Sequence, residues 1–175
     1  MRSGLFALAF SALLAVTAAT CSCAPSAPPV APGAPLTPAS MQLTQRGHER
    51  PVPLVELKPD GSVIGPSGEP LGKIQGNKIL DEKGKVALEI GTDGAITGPE
   101  LTRKLKFNSD GDATDEKGAI RIGSDGVVVT MDPNGELSRT PLKFENYNAA
   151  DRRTGVVLLL LTAKHLGKVA DLGVE

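Results

Sequence analysis

Apolar and polar residues alternate in short runs between residues 54 and 147, and glycine-containing sequences separate the runs. Residues 104–107 read KLKF and residues 120–122 read IRI. Alternation with a period of two predicts strands with one buried face, because successive side chains of a strand point to opposite sides. The residues that this alternation places on the core face of 85–90 are Val86, Leu88 and Ile90.

Asp-Gly and Asn-Gly pairs lie between the predicted strands. Such pairs favour two-residue hairpin turns in which both residues have positive φ, so we expect that conformation here. The EKG sequences at 82–84 and 116–118 predict slightly longer hairpin loops with glycine in the left-handed conformation. The five pairs are Asp60-Gly61, Asp93-Gly94, Asp110-Gly111, Asp125-Gly126 and Asn134-Gly135.

The pattern repeats about every 32–33 residues, as counted between Asp60, Asp93 and Asp125. A period of this length is typical of tandem supersecondary units. A single hairpin is marginally stable in water, so successive hairpins must pair with one another. We therefore predict a mainly β fold over residues 54–147, an antiparallel β-meander of tandem hairpin repeats that forms a curled sheet or a barrel, followed by one C-terminal α-helix.

The predicted helix covers residues 148–172, with Asn148 as a candidate N-cap. On a helical wheel Leu159 and Ala163 group on an apolar sector, while Arg153 lies on a polar one. The apolar run 156–161 is far shorter than the roughly 20 residues that span a bilayer. We expect the helix to pack on the β domain and to plug its open end. A partner surface and an interfacial membrane contact are the alternatives.

The amino terminus has the order of features typical of an export signal. Arg2 precedes an apolar run at 5–16 and small residues at 17–20, which predicts a signal peptide over residues 1–22. The two cysteines of the chain, Cys21 and Cys23, follow directly. In this stretch the sequence resembles a bacterial lipoprotein precursor, in which a lipobox ends at a cysteine that receives a diacylglyceryl group and becomes the first residue after cleavage.

The resemblance implies that Cys23 carries the lipid, because the small residue Ser22 precedes it. Cys21 is the alternative, since it fits the spacing from the apolar run better. Ordinary secretion, with cleavage near Ala19 or Ala24, is the interpretation without a lipid. A lipid would attach the protein to a membrane, because each buried methylene contributes about 0.8 kcal/mol and several chains hold firmly.

The resemblance also implies a location. Ala24 is not the aspartate that retains such lipoproteins at the inner membrane in some Gram-negative bacteria. We therefore expect a cell-envelope protein on the outer membrane, facing the periplasm, with secretion as the alternative. Residues 23–53 are rich in proline and predict a semi-rigid tether. A proline-motif ligand for a partner is the other interpretation of this segment.

Charge and composition argue against several functions. The net charge is −1 and aromatic residues make up 3%, so nucleic-acid binding is not expected. The acidic cluster at Asp110, Asp112, Asp115 and Glu116 does not match a calcium loop, because Asp115 stands where glycine is needed. Two distant histidines, His48 and His165, do not make a zinc set.

No catalytic motif is recognisable, so we predict that the chain is not an enzyme and that it has no catalytic, cofactor-binding or metal-binding residues. The function that these observations favour is a non-catalytic, membrane-tethered β-repeat protein of the cell envelope with a structural or interaction role, whose partner is an envelope protein. The alternative is a binding module for a cell-wall or surface polymer, which would be bound through the outward lysines and arginines of the strands.

Overall fold

The apolar positions of the repeats line the inside of a closed barrel. The computed structural model describes residues 31–47 and 50–166. The predicted signal peptide, Cys21, Cys23, His48 and the last part of the predicted helix (167–172) lie outside the described residues.

Twelve antiparallel strands form the barrel in the described part of the chain, and each pairs with its neighbours in sequence. The strands are β1 (Met41–Gln45), β2 (Val52–Leu57), β3 (Ser62–Ile64), β4 (Pro70–Gln75), β5 (Lys78–Asp81), β6 (Val86–Ile90), β7 (Ala95–Thr97), β8 (Leu105–Phe107), β9 (Ala113–Asp115), β10 (Gly118–Ile122), β11 (Val127–Met131) and β12 (Leu137–Glu145).

β1 closes the barrel, because it pairs with β2 on one side and with β12 on the other. Leu43 at its centre lies opposite Val55 of β2 and opposite Phe144 of β12, and all three side chains are buried. Closure leaves the sheet without a long free edge. The predicted fold class, an antiparallel β-meander with one C-terminal helix, is confirmed.

The predicted repeat is visible as three equivalent groups of four strands: β2–β5, β6–β9, and β10–β12 with β1. In each group the carbonyl oxygen of the glycine in the Asp-Gly turn accepts a backbone hydrogen bond from a buried residue in the second strand after that turn. The three bonds run from Ile74 N to Gly61 O (2.8 Å), from Phe107 N to Gly94 O (2.9 Å) and from Phe144 N to Gly126 O (2.8 Å). The N-terminal strand thus completes the third repeat.

Because consecutive strands are antiparallel, alternate connections lie at opposite ends of the barrel. The first end, here called the Asp-Gly end, carries the turns at 58–61, 91–94, 108–112 and 123–126. The opposite end, here called the loop end, carries the connections at 82–85, 98–104, 116–117 and 132–136.

The predicted two-residue turn geometry is wrong. In the turn at Asp60-Gly61 only the glycine has positive φ (84°), and Asn146 is the one described non-glycine residue with positive φ. Gly61 N donates to Lys58 O, and Lys58 N donates to Ser62 O, which makes a longer loop with a glycine bulge. The reason is the aspartate, whose Oδ1 accepts from Ser62 N at 3.0 Å and so favours an Asx-type turn.

The two EKG loops differ from each other. The 82–84 loop has the predicted geometry, with Gly84 at φ 75°. At 116–118 the loop itself has two residues, and Gly118, with φ 136°, already belongs to β10.

The prediction that Val86 faces the core is also wrong. Val86 is 38% exposed, whereas its neighbour Ala87 is 5% exposed. The register between β5 and β6 shifts between Ile79 and Leu80, which is the position of a β-bulge. A bulge adds one residue to a strand and therefore moves the residues beyond it to the opposite face.

The C-terminal helix, α1 (Arg152–Leu166), lies inside the barrel. It follows a short 3-10 helix (Ala149–Asp151) that is capped by Asn148, whose side chain accepts from Ala150 N. Every residue from 153 to 163 is buried, and the apolar side chains of α1 share one core with the inward residues of the strands. A helix packed on the outside would keep an exposed face, so burial on all sides requires a surrounding sheet.

The polar sector that the helical wheel assigned to Arg153 is therefore wrong, because this side chain is only 5% exposed. Among the described residues, no helix combines the length and the apolar character needed to cross a membrane.

β1 falls inside the range predicted for the tether, which therefore ends before Met41. Met41 and Leu43 are buried in β1, although this strand also contains two glutamines and a threonine. The segment before it, residues 31–40, crosses the Asp-Gly end of the barrel. Leu36 is buried there, and its backbone N–H donates to Gly76 O at 3.3 Å.

Candidate functional site

One indented region of the outer surface lies at the loop end, around the connection 98–104. A cavity of about 500 Å³ opens there. An adjoining groove of about 480 Å³ runs along β7 and β8. We call the first cavity the loop-end cleft. Its lining residues are Thr102, Arg103, Lys104, Asp115, Glu116 and Lys117.

The cleft exists because β7 and β8 are short. They pair only through Ala95 with Lys106 and Ile96 with Leu105, so the chain leaves the sheet early on both sides. The connection then folds back on the barrel wall at Gly98, where a Cβ would lie 2.4 Å from Ala87 O. Only glycine allows this close approach.

One ion pair fixes the wall of the cleft. Arg103 donates to both carboxylate oxygens of Asp115, from Nε at 2.5 Å and from Nη2 at 2.6 Å. This bidentate hydrogen bonding lowers the pKa of the Asp115 carboxyl, and a backbone hydrogen bond from Lys117 adds to the effect. Asp115 therefore stays ionised at neutral pH and is a poor proton donor.

The remaining charges of the cleft are exposed to solvent. Lys104, Lys117 and Glu116 are all exposed, so together with Arg103 and Asp115 the cleft has three cationic and two anionic side chains. With the arginine and the aspartate neutralising each other, two lysines and one glutamate are available to a ligand. This arrangement suits hydrogen bonding and charge pairing with a polar, anionic ligand and offers no activated nucleophile.

The acidic residues considered for calcium are separated by the fold. Asp112 is at the Asp-Gly end and is 1% exposed. Its Oδ2 accepts from Arg121 at 2.9 and 2.7 Å, and this pairing raises the pKa of Arg121. Asp115 lies at the far end of β9 and faces the loop-end cleft. Within residues 31–47 and 50–166, no group of three or more His, Cys, Asp or Glu side chains is placed to hold a metal ion.

A second polar arrangement lies at the Asp-Gly end and holds the N-terminal segment. Arg153 donates from Nη1 to Ala31 O (3.1 Å) and Ala34 O (2.8 Å), and from Nη2 to Pro32 O (2.5 Å). Its guanidinium stacks 4.8 Å from the centre of the Phe107 ring. Burial lowers the pKa of Arg153. We call Arg153 with residues 31–34 the clasp.

Two further hydrogen bonds support the clasp. Thr154 Oγ1 donates to Thr37 O at 3.1 Å, and Asn77 Nδ2 donates to Gly33 O at 3.0 Å. The N-terminal segment is thus held both by side chains of α1 and by a side chain of the 76–77 turn. Sequence reasoning missed this arrangement. The available signal was that Arg153 lies three residues before the apolar run 156–161, in a helix whose next turns have no polar face to meet solvent.

The predicted lipidation residues, Cys23 and its alternative Cys21, lie outside the described residues, as does His48. His165 belongs to α1. Comparison with protein-family models, with curated proteins and with solved structures finds no match for this chain.

Proposed function

We propose that the chain is an exported, lipid-anchored, non-catalytic β-repeat protein of the bacterial cell envelope, which interacts with its partner through the outer surface of the barrel. Cys23 is the proposed lipid attachment site, with Cys21 as the alternative. The proposed location is the outer membrane, facing the periplasm. The predicted signal peptide and the lipobox-like sequence support the location, and the barrel supports the mode of action.

The observation that carries the proposal is the position of α1. Many barrels bind ligands in the interior, but here the interior of the described barrel is occupied by buried helix side chains. The surface left for recognition is the outer wall and the two ends. A barrel packed around a helix is a rigid body with an accessible outer surface, which suits an interaction protein.

A second candidate function is the binding of an anionic cell-wall or surface polymer, and the loop-end cleft favours it. The cleft is open to solvent and presents Lys104 and Lys117 beside the fixed Arg103–Asp115 pair. Repeated weak contacts between lysines and an anionic chain are salt-sensitive and need no deep pocket.

The lipid anchor is tested by substituting each cysteine separately. Cys23→Ser should release the protein from membranes into the soluble fraction, whereas Cys21→Ser should leave it membrane-bound. Mass spectrometry of the mature amino terminus checks the assignment directly. The reverse behaviour would move the anchor to Cys21, and a soluble wild-type protein with an unmodified terminus would disprove lipid anchoring.

The polymer-binding candidate is tested by retention on purified peptidoglycan and on anionic envelope polysaccharide. The double variant Lys104→Ala, Lys117→Ala should lose retention at low salt. The matched control is Lys58→Ala, Lys73→Ala, which removes two exposed lysines outside the cleft and should bind like the wild type. Equal retention of both double variants would rule out the cleft as the binding site.

A further inference from the structure

The clasp and the loop-end cleft lie at opposite ends of the barrel. The clasp joins residues 31–34 to the N-terminal turn of α1, at the Asp-Gly end. The cleft is formed by the 98–104 and 116–117 connections, at the loop end. β8 and β9, which join the two ends beside the cleft, have three residues each, which corresponds to roughly 10 Å of extended chain.

The N-terminal segment is held to the barrel by several contacts of different kinds. Arg153 supplies charge-assisted hydrogen bonds to three carbonyls, Asn77 supplies one to Gly33, and the buried Leu36 supplies apolar contact. The backbone of Gly33 runs so close to Thr92 that an added Cβ would lie 2.2 Å from the Thr92 carbonyl oxygen. The segment is therefore packed on the Asp-Gly end and does not act as a free spacer.

Packing of this segment shortens the stretch of chain that separates the barrel from a lipid on Cys23. From Cys23 to Ala31 there are eight Cα-to-Cα steps, which span at most about 29 Å in any conformation. The attachment point of the tether on the barrel is consequently within that distance of a lipid on Cys23. The loop end lies at the other end of the barrel from this attachment point.

We propose that the clasp sets the orientation of the protein on its membrane, with the Asp-Gly end facing the bilayer and the loop-end cleft facing away from it. This inference rests on the proposed lipid attachment at Cys23. It implies that the cleft meets an anionic envelope polymer on the side remote from the membrane, and that lipid head groups are not its ligand.

The test compares two labels on the lipidated mature protein in nanodiscs. A fluorophore is attached through Ser124→Cys at the Asp-Gly end or through Glu82→Cys at the loop end, both of which are exposed positions. The acceptor is a lipid labelled on its head group. We expect strong quenching at 124 and weak quenching at 82. Arg153→Lys, which keeps the charge but loses the forked donor geometry, should reduce the difference. Arg152→Lys, a neighbour that donates to Asp110 O and not to residues 31–34, is the matched control.

Each outcome has a distinct meaning. Equal quenching at the two positions on protein whose lipid has been verified by mass spectrometry would overturn the orientation and leave the proposed function intact. Protein without a lipid would overturn the proposed function and the orientation together. Hydrogen exchange of the Leu36 amide, measured on the same wild-type sample, tests the clasp independently of the lipid. Protection of this amide supports the clasp, and free exchange overturns it.

Discussion

At Gly155, α1 passes close to the barrel wall. A Cβ on Gly155 would lie 2.7 Å from Ile122 Cδ1, which is closer than two carbon atoms approach without displacement. Glycine inside a helix is destabilising by roughly 0.5–1 kcal/mol relative to alanine. The space between helix and wall, and not helix propensity, therefore accounts for glycine at this position.

A double-mutant cycle tests this contact. Ile122→Val should destabilise by about 0.5–1.5 kcal/mol, because it removes one buried carbon. Gly155→Ala in the wild-type background inserts a methyl group against Ile122 Cδ1. In the Ile122→Val background this atom is absent, so the methyl group fits. We expect the two changes to deviate from additivity by about 0.5–3 kcal/mol in denaturant unfolding, with the double variant more stable than the sum. Additivity within about 0.3–0.5 kcal/mol would show that the two residues do not touch.

Single residues also show why the clasp was not predictable. A helical wheel assigns Arg153 to the polar face, since it assumes that one side of a helix meets water. That assumption fails when a sheet surrounds the helix. The partners of Arg153 are the carbonyls of Ala31, Pro32 and Ala34, about 120 residues earlier in the chain, and carbonyls carry no sequence signal.

At the scale of elements, turn sequences and alternation were sufficient to predict an antiparallel meander between residues 54 and 147 and to place strands at 85–90, 104–107 and 120–122. The details that they could not predict depend on neighbours. The exposure of Val86 follows from a bulge between β5 and β6, which only the pairing reveals. β1 was assigned to the tether because its sequence, MQLTQ, has two apolar positions and follows a proline-rich stretch. Its partners β2 and β12 make it a strand.

The Asp-Gly turns give the protein a predictable acid sensitivity. The pKa values of Asp60, Asp93 and Asp125 are lowered, in each case mainly by a hydrogen bond from the backbone N–H two residues later. A lowered folded-state pKa contributes stability above the unfolded pKa, near 3.8, and this contribution disappears as the pH falls through the folded-state pKa.

We therefore expect the free energy of unfolding to fall below about pH 4, and Asp93→Asn to weaken this dependence. Asparagine keeps the acceptor oxygen without the titrating charge. Asn108 already does so in the 108–112 turn, where its Oδ1 accepts from Asp110 N and Asp112 N. The measurement is urea unfolding between pH 2 and 7, an interval chosen to bracket the ordinary aspartate pKa. An identical acid dependence in both proteins would contradict the proposed role of the turns.

At the scale of the whole molecule, sheet and helix depend on one another. The twelve strands enclose a space that α1 fills, and α1 has no exposed face between residues 153 and 163 that would let it exist apart from the sheet. The sequence predicted a helix that packs on the β domain. It could not predict that the helix lies inside, because this depends on the number of strands that close the barrel and on the contribution of β1.

The packed interior is also the basis of the proposed function, since it leaves recognition to the outer surface and makes the body rigid. Its integrity rests on the central turns of α1. Leu159 is 2% exposed, whereas Leu137 in β12 is 56% exposed. The two leucines therefore form a matched pair for the same substitution.

The most direct test is the stability of Leu159→Asp against Leu137→Asp, measured by denaturant unfolding of the full chain. With α1 in the barrel interior, Leu159→Asp places an unpaired charge among apolar side chains and should cost more than about 4 kcal/mol or prevent folding. Leu137→Asp should stay within about 0.5 kcal/mol of the wild type. A Leu159→Asp protein as stable as the Leu137→Asp control would contradict the helix-filled barrel.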